Sequence, residues 1–361
     1  MDKQLRIKKM IELNAEKLFL CGMVCTLFSD IMIAQNIETA WMWKGPFVLG
    51  MVLLLFKFLI DLLRKEYALC SLFFVAMLTY ILTHNGYFLE LIIVIVAAKD
   101  VDYEKIAKVY AIEIMALFII NIVLLIAGIR EFTYLNEEIL GHARINRLRL
   151  GYSHPNVAMS MYISVICSLI IWLRDNIKSW AYIGFFSVGC VIFYFTDSRF
   201  GILVMCVILF LGLARNTGFR NLVLRHRLTE VTFGLSFIIM MIMGIVFNGE
   251  YLIHGGIYNT LISRFVAWGW GVKNVGLSMF GKPYNNYFPI DCGYYRAIFV
   301  YGVIGAIVLF YFYIRSMKCK YNDYFFSIAM MALIVTNIFE PRIMSVFFSL
   351  PVIAAMAKHN T

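Results

Sequence analysis

Residues 106–128 read IAKVYAIEIMALFIINIVLLIAG, the longest of the apolar stretches that recur along this chain of 361 residues. A stretch of about 20 mainly apolar residues can cross the ~30 Å hydrocarbon core of a bilayer as a helix. Lipid offers no hydrogen-bond partners to backbone N–H and C=O groups, so a crossing segment satisfies them internally by forming a helix. The stretch therefore predicts an α-helical membrane protein.

The composition of the whole chain supports the same fold class. Hydrophobic residues make up 62% of the sequence and charged residues 15%, whereas soluble domains contain about 45–50% apolar and about 25% charged residues. We therefore expect residues 1–361 to form a single all-α, polytopic membrane domain. The net charge of +10 comes without a basic tail or a long Lys/Arg run, so nucleic acid is not an expected partner. The eight cysteines are scattered and predict neither a disulfide framework nor a metal site.

Twelve apolar segments are predicted to span the membrane as helices. Their limits are 18–34, 46–63, 68–82, 86–98, 106–128, 155–173, 179–195, 200–213, 230–247, 293–313, 322–339 and 343–357. Basic residues concentrate in alternate short loops, which the positive-inside rule places in the cytoplasm. Both termini are then cytoplasmic, with residues 1–17 as a polar segment before an uncleaved signal anchor. Two long loops, 129–154 and 248–292, lie outside, and the second is the large loop between the ninth and tenth spans.

Five arginines fall on the predicted outer face of this otherwise apolar chain. They are Arg144, Arg147, Arg149, Arg199 and Arg264. A guanidinium stays protonated and presents a planar set of donors that binds phosphate oxygens in pairs. Their grouping on one face predicts a binding site for an anionic, lipid-linked substrate.

Three motifs in outer segments carry a family resemblance. Residues 151–156 read GYSHPN at the start of the sixth span, residues 196–201 read TDSRFG in the turn after the seventh, and residues 263–268 read SRFVAW in the large loop. Residues 290–295, IDCGYY, and 302–305, GVIG, follow that loop. In order and membrane position these motifs resemble the O-antigen and capsular polysaccharide polymerase (Wzy) family of the ligase/polymerase superfamily. The resemblance covers less than half of the chain.

The resemblance implies glycosyl transfer at the outer face of a bacterial plasma membrane. A glycan on a polyprenyl diphosphate, such as undecaprenyl diphosphate, would be moved onto an incoming lipid-linked repeat unit during synthesis of capsule, exopolysaccharide or O-antigen for the cell envelope. Such an enzyme is a metal-independent glycosyltransferase without a cofactor. Its expected partners are the lipid-linked donor and acceptor, the bilayer, and a flippase and a chain-length regulator of the same pathway.

Arg199 and Arg264 match arginines of that family and are expected to hold the diphosphate of the leaving group. Preorganised donors of this kind commonly stabilise charge in a transition state by several kcal/mol. The residues alone leave alternatives open. Arg199 also suits a salt bridge with Asp197 or binding to lipid headgroups, and Arg264 also suits a solvated loop position.

The remaining outer arginines and the start of the sixth span each have two interpretations. Arg144, Arg147 and Arg149 are expected to guide an acidic glycan or hold a second diphosphate; the alternative is a solvated loop face neutralised by nearby glutamates. His154 is a candidate base or substrate hydrogen bonder, and Asn156 is a candidate substrate ligand. The alternative for this segment is a helix cap, because proline suits the first turn of a helix.

Asp291 stands where the related ligases carry a histidine proposed to take the acceptor's proton, which favours a polymerase. An aspartate with an ordinary pKa of about 3.9 is ionised at neutral pH but is a weak base. An ion pair with Arg296 is the alternative. Trp268, Tyr294 and Tyr295 are expected to stack on sugar rings, although an aromatic face with a polar tip also suits the membrane interface.

Two charged pairs near the ends of spans are expected to be mainly structural. Lys57 and Asp61 lie one helical turn apart, a spacing that allows pairing on a helix face. Glu340 and Arg342 occupy the predicted outer turn between the last two spans. They could line a substrate cavity, but mutual pairing is the expected role.

Three rival functions fit parts of the sequence. A flippase for lipid-linked sugars suits twelve spans but should show related halves and charges along its mid-membrane helices. A ligase that transfers finished glycan to another carrier is disfavoured by the aspartate at position 291. A non-catalytic assembly partner would not need clustered phosphate-binding residues. The sequence therefore favours the polymerase.

Overall fold

The computed structural model describes residues 2–37, 39–63, 68–135, 138–139, 142–143, 147–246, 258–283, 290–342 and 345–358. Within these residues the protein is a bundle of α-helices with very little strand, which confirms the all-α fold class. The helices are α1 (Asp2–Ala34), α2 (Ala40–Leu63), α3 (Ala68–Thr83), α4 (Tyr87–Ala97), α5 (Tyr103–Ile126), α6 (Pro155–Leu173), α7 (Ser179–Thr196), α8 (Arg199–Ala214), α9 (Gly218–Arg225), α10 (Leu228–Val246), α11 (Tyr258–Asn274), α12 (Gly293–Cys319), α13 (Tyr324–Phe339) and α14 (Leu350–Ile353).

The described residues contain seven helices that are long and apolar enough to cross a membrane, so the chain is a multi-pass membrane protein. An eighth is added if α8 and α9 count as one span, although they are bent by 113°. Helices α3, α4 and α13 are apolar but shorter. Helix α4 has 11 residues, about 16 Å at 1.5 Å per residue. The number of twelve crossings therefore stays a prediction.

The last predicted span, 343–357, does not form one spanning helix. Its described part contains a 3-10 turn at Val346–Phe348 and the four-residue α14. Residues 346–355 are all buried. Irregular backbone at membrane depth is tolerated where protein surrounds it and supplies hydrogen bonds.

Side chains of neighbouring helices supply those hydrogen bonds to the irregular segment. Tyr110 on α5 donates to the carbonyl of Val346 at 2.6 Å. Ser164 on α6 donates to the carbonyl of Phe347. Arg315 on α12 donates to the carbonyl of Ala355 at 2.7 Å. The prediction of a spanning helix here is wrong because apolar composition and length do not separate a helix from a buried irregular segment.

Helix α12 is broken at Gly302, which has φ 78° and ψ 173°. The break releases backbone N–H groups, and the preceding loop satisfies two of them. Val303 N donates to the carbonyl of Ser278 and Ile304 N to that of Met279, both at 3.0 Å. A Cβ at position 302 would lie 2.2 Å from the backbone nitrogen of Gly281. Glycine is therefore required both for its positive φ and for this close approach.

The two predicted outer loops contain regular structure. In 129–154, β1 (Tyr134–Leu135) pairs with β4 (Arg147–Leu148), and β2 (Glu138–Ile139) pairs with β3 (His142–Ala143), both antiparallel. In 248–292, helix α11 carries Arg264 and Trp268. Residues 248–257 and 284–289 of the second loop lie outside the described residues.

Arg130 fixes the first loop onto the end of the bundle. Its guanidinium donates to the carbonyl of Gln35 at 2.6 Å, just beyond α1, and to the side chain of Asn121 on α5. Asn121 in turn donates to the carbonyl of Leu150 at 2.9 Å. A Cβ at Gly151, where φ is +75°, would lie 2.6 Å from Asn121 Oδ1. The glycine of the GYSHPN motif is thus needed for the loop to reach the start of α6.

Candidate functional site

The predicted site residues meet at one end of the helix bundle, which we call the predicted outer end. The start of α6, the turn between α7 and α8, helix α11, the residues before α12 and those after α13 all contribute. Arg144 lies outside the described residues, so its predicted role stays a prediction.

The start of α6 is a capped helix terminus. His154 is the N-cap, and its Nδ1 accepts a hydrogen bond from the backbone N–H of Asn156 at 3.1 Å. Pro155 occupies the first turn, which suits its fixed φ and missing N–H. A neutral imidazole that accepts at Nδ1 carries its proton on Nε2. His154 is therefore placed to donate a hydrogen bond through Nε2, and the alternative of a helix cap is confirmed.

Arg147 joins three segments at this end. Its Nε donates to the carbonyl of Thr196, at the end of α7, at 2.8 Å. Its Nη2 donates to Asn156 Oδ1 at 2.6 Å. Asn156 Nδ2 then donates to Glu340 Oε1 at 2.6 Å. Because Arg147 is only 5% exposed, the interpretation of a solvated loop face is wrong for this residue, and Asn156 is a bridge within the protein.

Arg149 is half-buried in the same loop. Its backbone N–H donates to the carbonyl of Thr133 at 3.0 Å. Its Nε is buried and makes no hydrogen bond within the described residues. This places a side-chain donor of Arg149 at the predicted outer end without a protein acceptor.

Arg199 begins α8, directly after a two-residue turn. Asp197 adopts the left-handed conformation, with φ 43° and ψ 41°, which short polar residues tolerate better than most. Arg199 is 49% exposed, and its Nε lies 3.6 Å from Asp197 Oδ1, so the salt bridge considered above is present. A Cβ on Gly201 would lie 2.1 Å from Met159 Cγ. This close contact between α8 and α6 brings the Arg199 turn beside the start of α6.

Arg264 on α11 forms an ion pair with Asp291, which lies two residues before the start of α12. Arg264 Nη1 lies 3.1 Å from Asp291 Oδ2, and Arg264 is 17% exposed. The solvated position considered for Arg264 is therefore not what the structure shows. Burial raises the pKa of the Asp291 carboxyl above its usual value, although nearby arginines, Arg264 foremost, act to lower it. Arg296 is among those arginines but is not the 3.1 Å partner.

Glu340 and Arg342 follow α13 and complete the cluster. Arg342 Nη2 lies 3.6 Å from Glu340 Oε2, so the expected mutual pairing is confirmed. Burial raises the pKa of the Glu340 carboxyl, while Arg342 acts to lower it and Asp291 to raise it. Arg296 lies close enough to lower the pKa of Arg342. Arg264 and Arg342 therefore act to lower the pKa of both carboxyl groups, and Arg296 acts to lower that of Asp291.

The predicted sugar-stacking residues are mostly internal. Tyr294 and Tyr295 are fully buried. Tyr294 shares a 2.8 Å hydrogen bond with Ser236, and Tyr295 donates to the carbonyl of Met240. Trp268 is partly buried, with its ring centroid 5.3 Å from that of Tyr295. In this structure Tyr294 and Tyr295 hold α12 against α10, and neither ring face is available to a sugar.

Sequence reasoning missed how Glu340, Arg342 and Arg296 combine with the predicted arginines. It treated Glu340 with Arg342, and Asp291 with Arg296, as separate local pairs. A usable signal was the position of Glu340 and Arg342 directly after an apolar segment, where charges enter a buried environment. Among the described residues no three His, Cys, Asp or Glu side chains come together in a way that could hold a metal ion.

Comparisons with protein-family models, with curated proteins and with solved structures find no match to this chain. The resemblance of its motifs to the polymerase family therefore stays a prediction.

Proposed function

We propose that this chain is a bacterial polysaccharide polymerase with its active site at the outer face of the plasma membrane. It would transfer a polyprenyl-diphosphate-linked glycan onto an incoming lipid-linked repeat unit. The single observation that carries the proposal is the clustering of Arg264, Arg296 and Arg342 with Asp291 and Glu340 at one end of a membrane helix bundle. A cationic site at the end of such a bundle suits a substrate with a lipid tail and a diphosphate head.

The proposed reaction is a displacement at the anomeric carbon of the donor. The acceptor hydroxyl oxygen forms a bond to that carbon, and the carbon–oxygen bond to the diphosphate breaks with its electron pair on the leaving oxygen. Arg264 and Arg199 bind the departing diphosphate, where fixed donors offset the developing charge. Two lipid-tethered reactants held in register supply much of the remaining rate enhancement.

The proton of the acceptor hydroxyl passes to the Asp291 carboxylate. Burial raises the pKa of Asp291, which makes it a better base than an exposed aspartate. When Arg264 turns to the diphosphate, Asp291 loses its 3.1 Å counter-ion, and its basicity rises further. His154 contributes a hydrogen bond from Nε2 rather than acting as the base.

The test is reconstitution of the purified protein in liposomes with lipid-linked repeat units, followed by gel analysis for a ladder of products. We expect a ladder with the wild type and none with Arg264→Ala or Arg199→Ala. Arg225→Ala, which removes the same charge from an exposed position on α9, should leave the ladder intact. Asp291→Asn should slow the reaction without abolishing substrate binding.

The rival functions give different results in the same liposomes. Movement of the lipid-linked unit across the bilayer without any ladder would identify a flippase. Transfer of finished glycan only to a different added carrier, with no ladder on the lipid-linked unit, would identify a ligase. Either result would overturn the polymerase proposal.

A further inference from the structure

The end of the bundle opposite to the predicted outer end carries a short, bent helix. Helix α8 starts at the Arg199 turn and runs for 16 residues, about 24 Å, before the chain bends by 113° into α9. Because α9 has eight residues and turns away at this angle, it does not cross the bilayer and lies near the membrane surface. Trp180, at the start of α7, and Tyr321, just after α12, are exposed at this end, as expected of aromatic side chains at the membrane–water interface.

A pocket lies beside α9 at this level, where several helices begin or end. It is formed by α9, the first turn of α10, the end of α12 and the start of α13, and its empty volume is about 240 Å³. Two of its lining residues are cationic, Arg227 and Lys320, and Glu230 is acidic. Thr229 and Ser327 add hydroxyl side chains to the lining. The lining therefore combines an excess of positive charge with hydrogen-bonding groups.

The Arg227 guanidinium is positioned by its neighbours and is only loosely satisfied by them. It lies over the ring of Tyr321, 5.4 Å from the ring centroid. Its Nη1 lies 3.8 Å from Glu230 Oε1, beyond the 2.7–2.9 Å typical of a charge-assisted hydrogen bond. The Arg227 side chain is 54% exposed, so its N–H donors are accessible to a ligand at the mouth of the pocket.

The acidic residues around the pocket leave room for an anion. Glu230 Oε1 is buried and accepts no hydrogen bond within the described residues, so this carboxylate needs a donor that the protein does not supply. Asp323 pairs with Arg174 at 2.9 Å, and Glu104 lies 4.0 Å from the same guanidinium. The pocket thus offers two cations for an anionic group and one acceptor for a hydroxyl.

Apolar side chains continue from the pocket towards the core of the bilayer. The N–H of Val231 donates to the carbonyl of Arg227 at 3.1 Å, so Arg227, Val231 and Leu235 follow one another on one face of α10. Val231 and Leu235 are both 54% exposed. On α12, the exposed Ile314 lies one turn from Met317, which lines the pocket. Such surfaces suit acyl chains, which favours a lipid over free phosphate as the ligand.

We propose that this pocket binds the headgroup of an anionic phospholipid that also carries hydroxyl groups, such as phosphatidylglycerol. Arg227 and Lys320 bind the phosphate, and Glu230 accepts a hydrogen bond from a headgroup hydroxyl. The acyl chains lie along α10 and α12. Basic pockets between membrane helices on the cytoplasmic side are suited to acidic lipid headgroups. The site does not depend on the proposed function, because it lies at the opposite end of the bundle.

The experiment is a titration of the detergent-purified protein with phosphatidylglycerol and with phosphatidylcholine of the same acyl chains, read by native mass spectrometry. We expect phosphatidylglycerol to bind at least about tenfold more tightly, the effect of one charge-assisted hydrogen bond. Arg227→Gln and Lys320→Gln should each weaken its binding by a similar factor. Arg225→Gln removes the same charge from an exposed position on α9, on the face away from the pocket residue Val223, and should bind as the wild type does.

The role of Glu230 has a test of its own. Phosphatidylmethanol carries the same charge as phosphatidylglycerol but has no headgroup hydroxyl. The wild type should prefer phosphatidylglycerol, and Glu230→Leu should bind the two lipids equally, as a double-mutant comparison requires for a direct contact. An unchanged preference in Glu230→Leu would contradict the assigned hydrogen bond.

Three results would overturn the site. The first is equal affinity for phosphatidylglycerol and phosphatidylcholine. The second is an equal loss of binding in Arg225→Gln and Arg227→Gln, which would show diffuse attraction to a basic surface. The third is displacement of phosphatidylglycerol by an excess of inorganic phosphate, which would show that the ligand is free phosphate. Lys320 lies over the ring of Tyr103, so if Lys320→Gln does not fold, the half-exposed Arg227 decides the question.

Discussion

Arg147 is the residue whose role at the predicted outer end is defined best by its contacts. It is buried, and two of its directed donors are already committed to Thr196 and Asn156. Through these two bonds it fixes the turn that carries Arg199 and the amide that reaches Glu340. An N–H donor that is already hydrogen-bonded within the protein positions its partners and is poorly placed to bind the phosphate of a substrate. We therefore assign Arg147 to positioning.

We predict that Arg147→Gln destabilises the protein by about 3 kcal/mol, because removing one member of a buried charged network leaves its partners unsatisfied. Arg147→Lys keeps the charge but cannot make both directed bonds, and it should fall between the wild type and the glutamine variant. Thermal unfolding in detergent measures the effect. A melting temperature for Arg147→Gln equal to that of the exposed-site control, Arg225→Gln, would contradict the assignment.

The Glu340 carboxyl makes the stability of the folded protein depend on pH, and the direction of that dependence follows from its raised pKa. Burial raises the pKa of Glu340, and of Asp291, above their usual values. A carboxyl group with a raised pKa in the folded protein binds its proton more tightly when folded than when unfolded. Its contribution to stability is fully present below the unfolded pKa and is lost as the pH rises through the folded pKa.

We therefore predict that stability rises as the pH falls from above the raised pKa of these carboxyls towards their usual pKa of about 4, by up to about 1.4 kcal/mol per pH unit for one proton. Glu340→Gln should show a smaller slope, because glutamine keeps an acceptor for Asn156 but does not titrate. Melting temperatures measured across this pH range test the prediction. Glu131→Gln, at an exposed position, serves as the control, and a Glu340→Gln slope equal to that of the control would argue against it.

Helix α12 is the element on which the cluster depends most, because its first half carries Arg296 and begins two residues after Asp291. The break at Gly302 sets the direction of that half relative to the rest of the helix. The 276–283 loop accepts two hydrogen bonds from the break, and Gly281 in that loop also has a positive φ, +87°. The orientation of Arg296 therefore rests on two glycines that approach each other closely.

We predict that Gly302→Ala costs about 2–4 kcal/mol, since it adds positive-φ strain to a backbone clash. It should also reduce formation of the product ladder, because it shifts the half of α12 that carries Arg296 and lies next to Asp291. Gly234→Ala in α10 is the matched control, because a Cβ there meets nothing within 4 Å, and it should be neutral or slightly stabilising. Equal melting temperatures of the two alanine variants would show that the break is not required.

Hydropathy was sufficient to predict most of the helices but not the irregular backbone of the last predicted span. Eleven of the twelve predicted segments coincide with helices, because in each of them an apolar run matches a helix. The segment after Arg342 is equally apolar, yet its carbonyls depend on Tyr110 and Ser164, which lie 236 and 183 residues away along the chain. Such distant hydroxyl partners leave no local pattern. Pro351, at the start of α14, was the one local sign of an interruption.

The candidate site could be predicted by location but not by role. Arg147 hydrogen-bonds to Thr196 in the segment that leads to Arg199, and it reaches Glu340 through Asn156, whereas Arg264 pairs with Asp291. Roles depend on burial, which sequence does not reveal. Arg147 was expected to meet a ligand and is internal, whereas Arg342 was expected to be neutralised by Glu340 and keeps an unused donor.

The segment after α13 connects the two ends of the bundle. Its start is fixed near the cluster, where Asn156 binds Glu340 at 2.6 Å. Its end is fixed beside the start of α5, where Tyr103 N donates to the carbonyl of Lys358 at 3.0 Å. The opposite end of α5 carries Asn121, which binds the predicted outer loop at Leu150. The irregular segment therefore runs the length of the bundle.

We predict that Lys358 and the cluster lie on opposite sides of the membrane, with Lys358 in the cytoplasm as the charge distribution indicates. In a variant whose eight cysteines are replaced by alanine, Glu131→Cys should react with a membrane-impermeant maleimide in intact cells. Lys358→Cys and Thr217→Cys, both exposed in the structure, should react only after the membrane is permeabilised. Labelling of Lys358→Cys from outside, while Thr217→Cys stays protected, would mean that the segment after α13 does not cross. The surrounding helices would then bury this segment although it does not cross the membrane. An outward-facing site that contains Arg342 would require the chain to take a different route through the bundle.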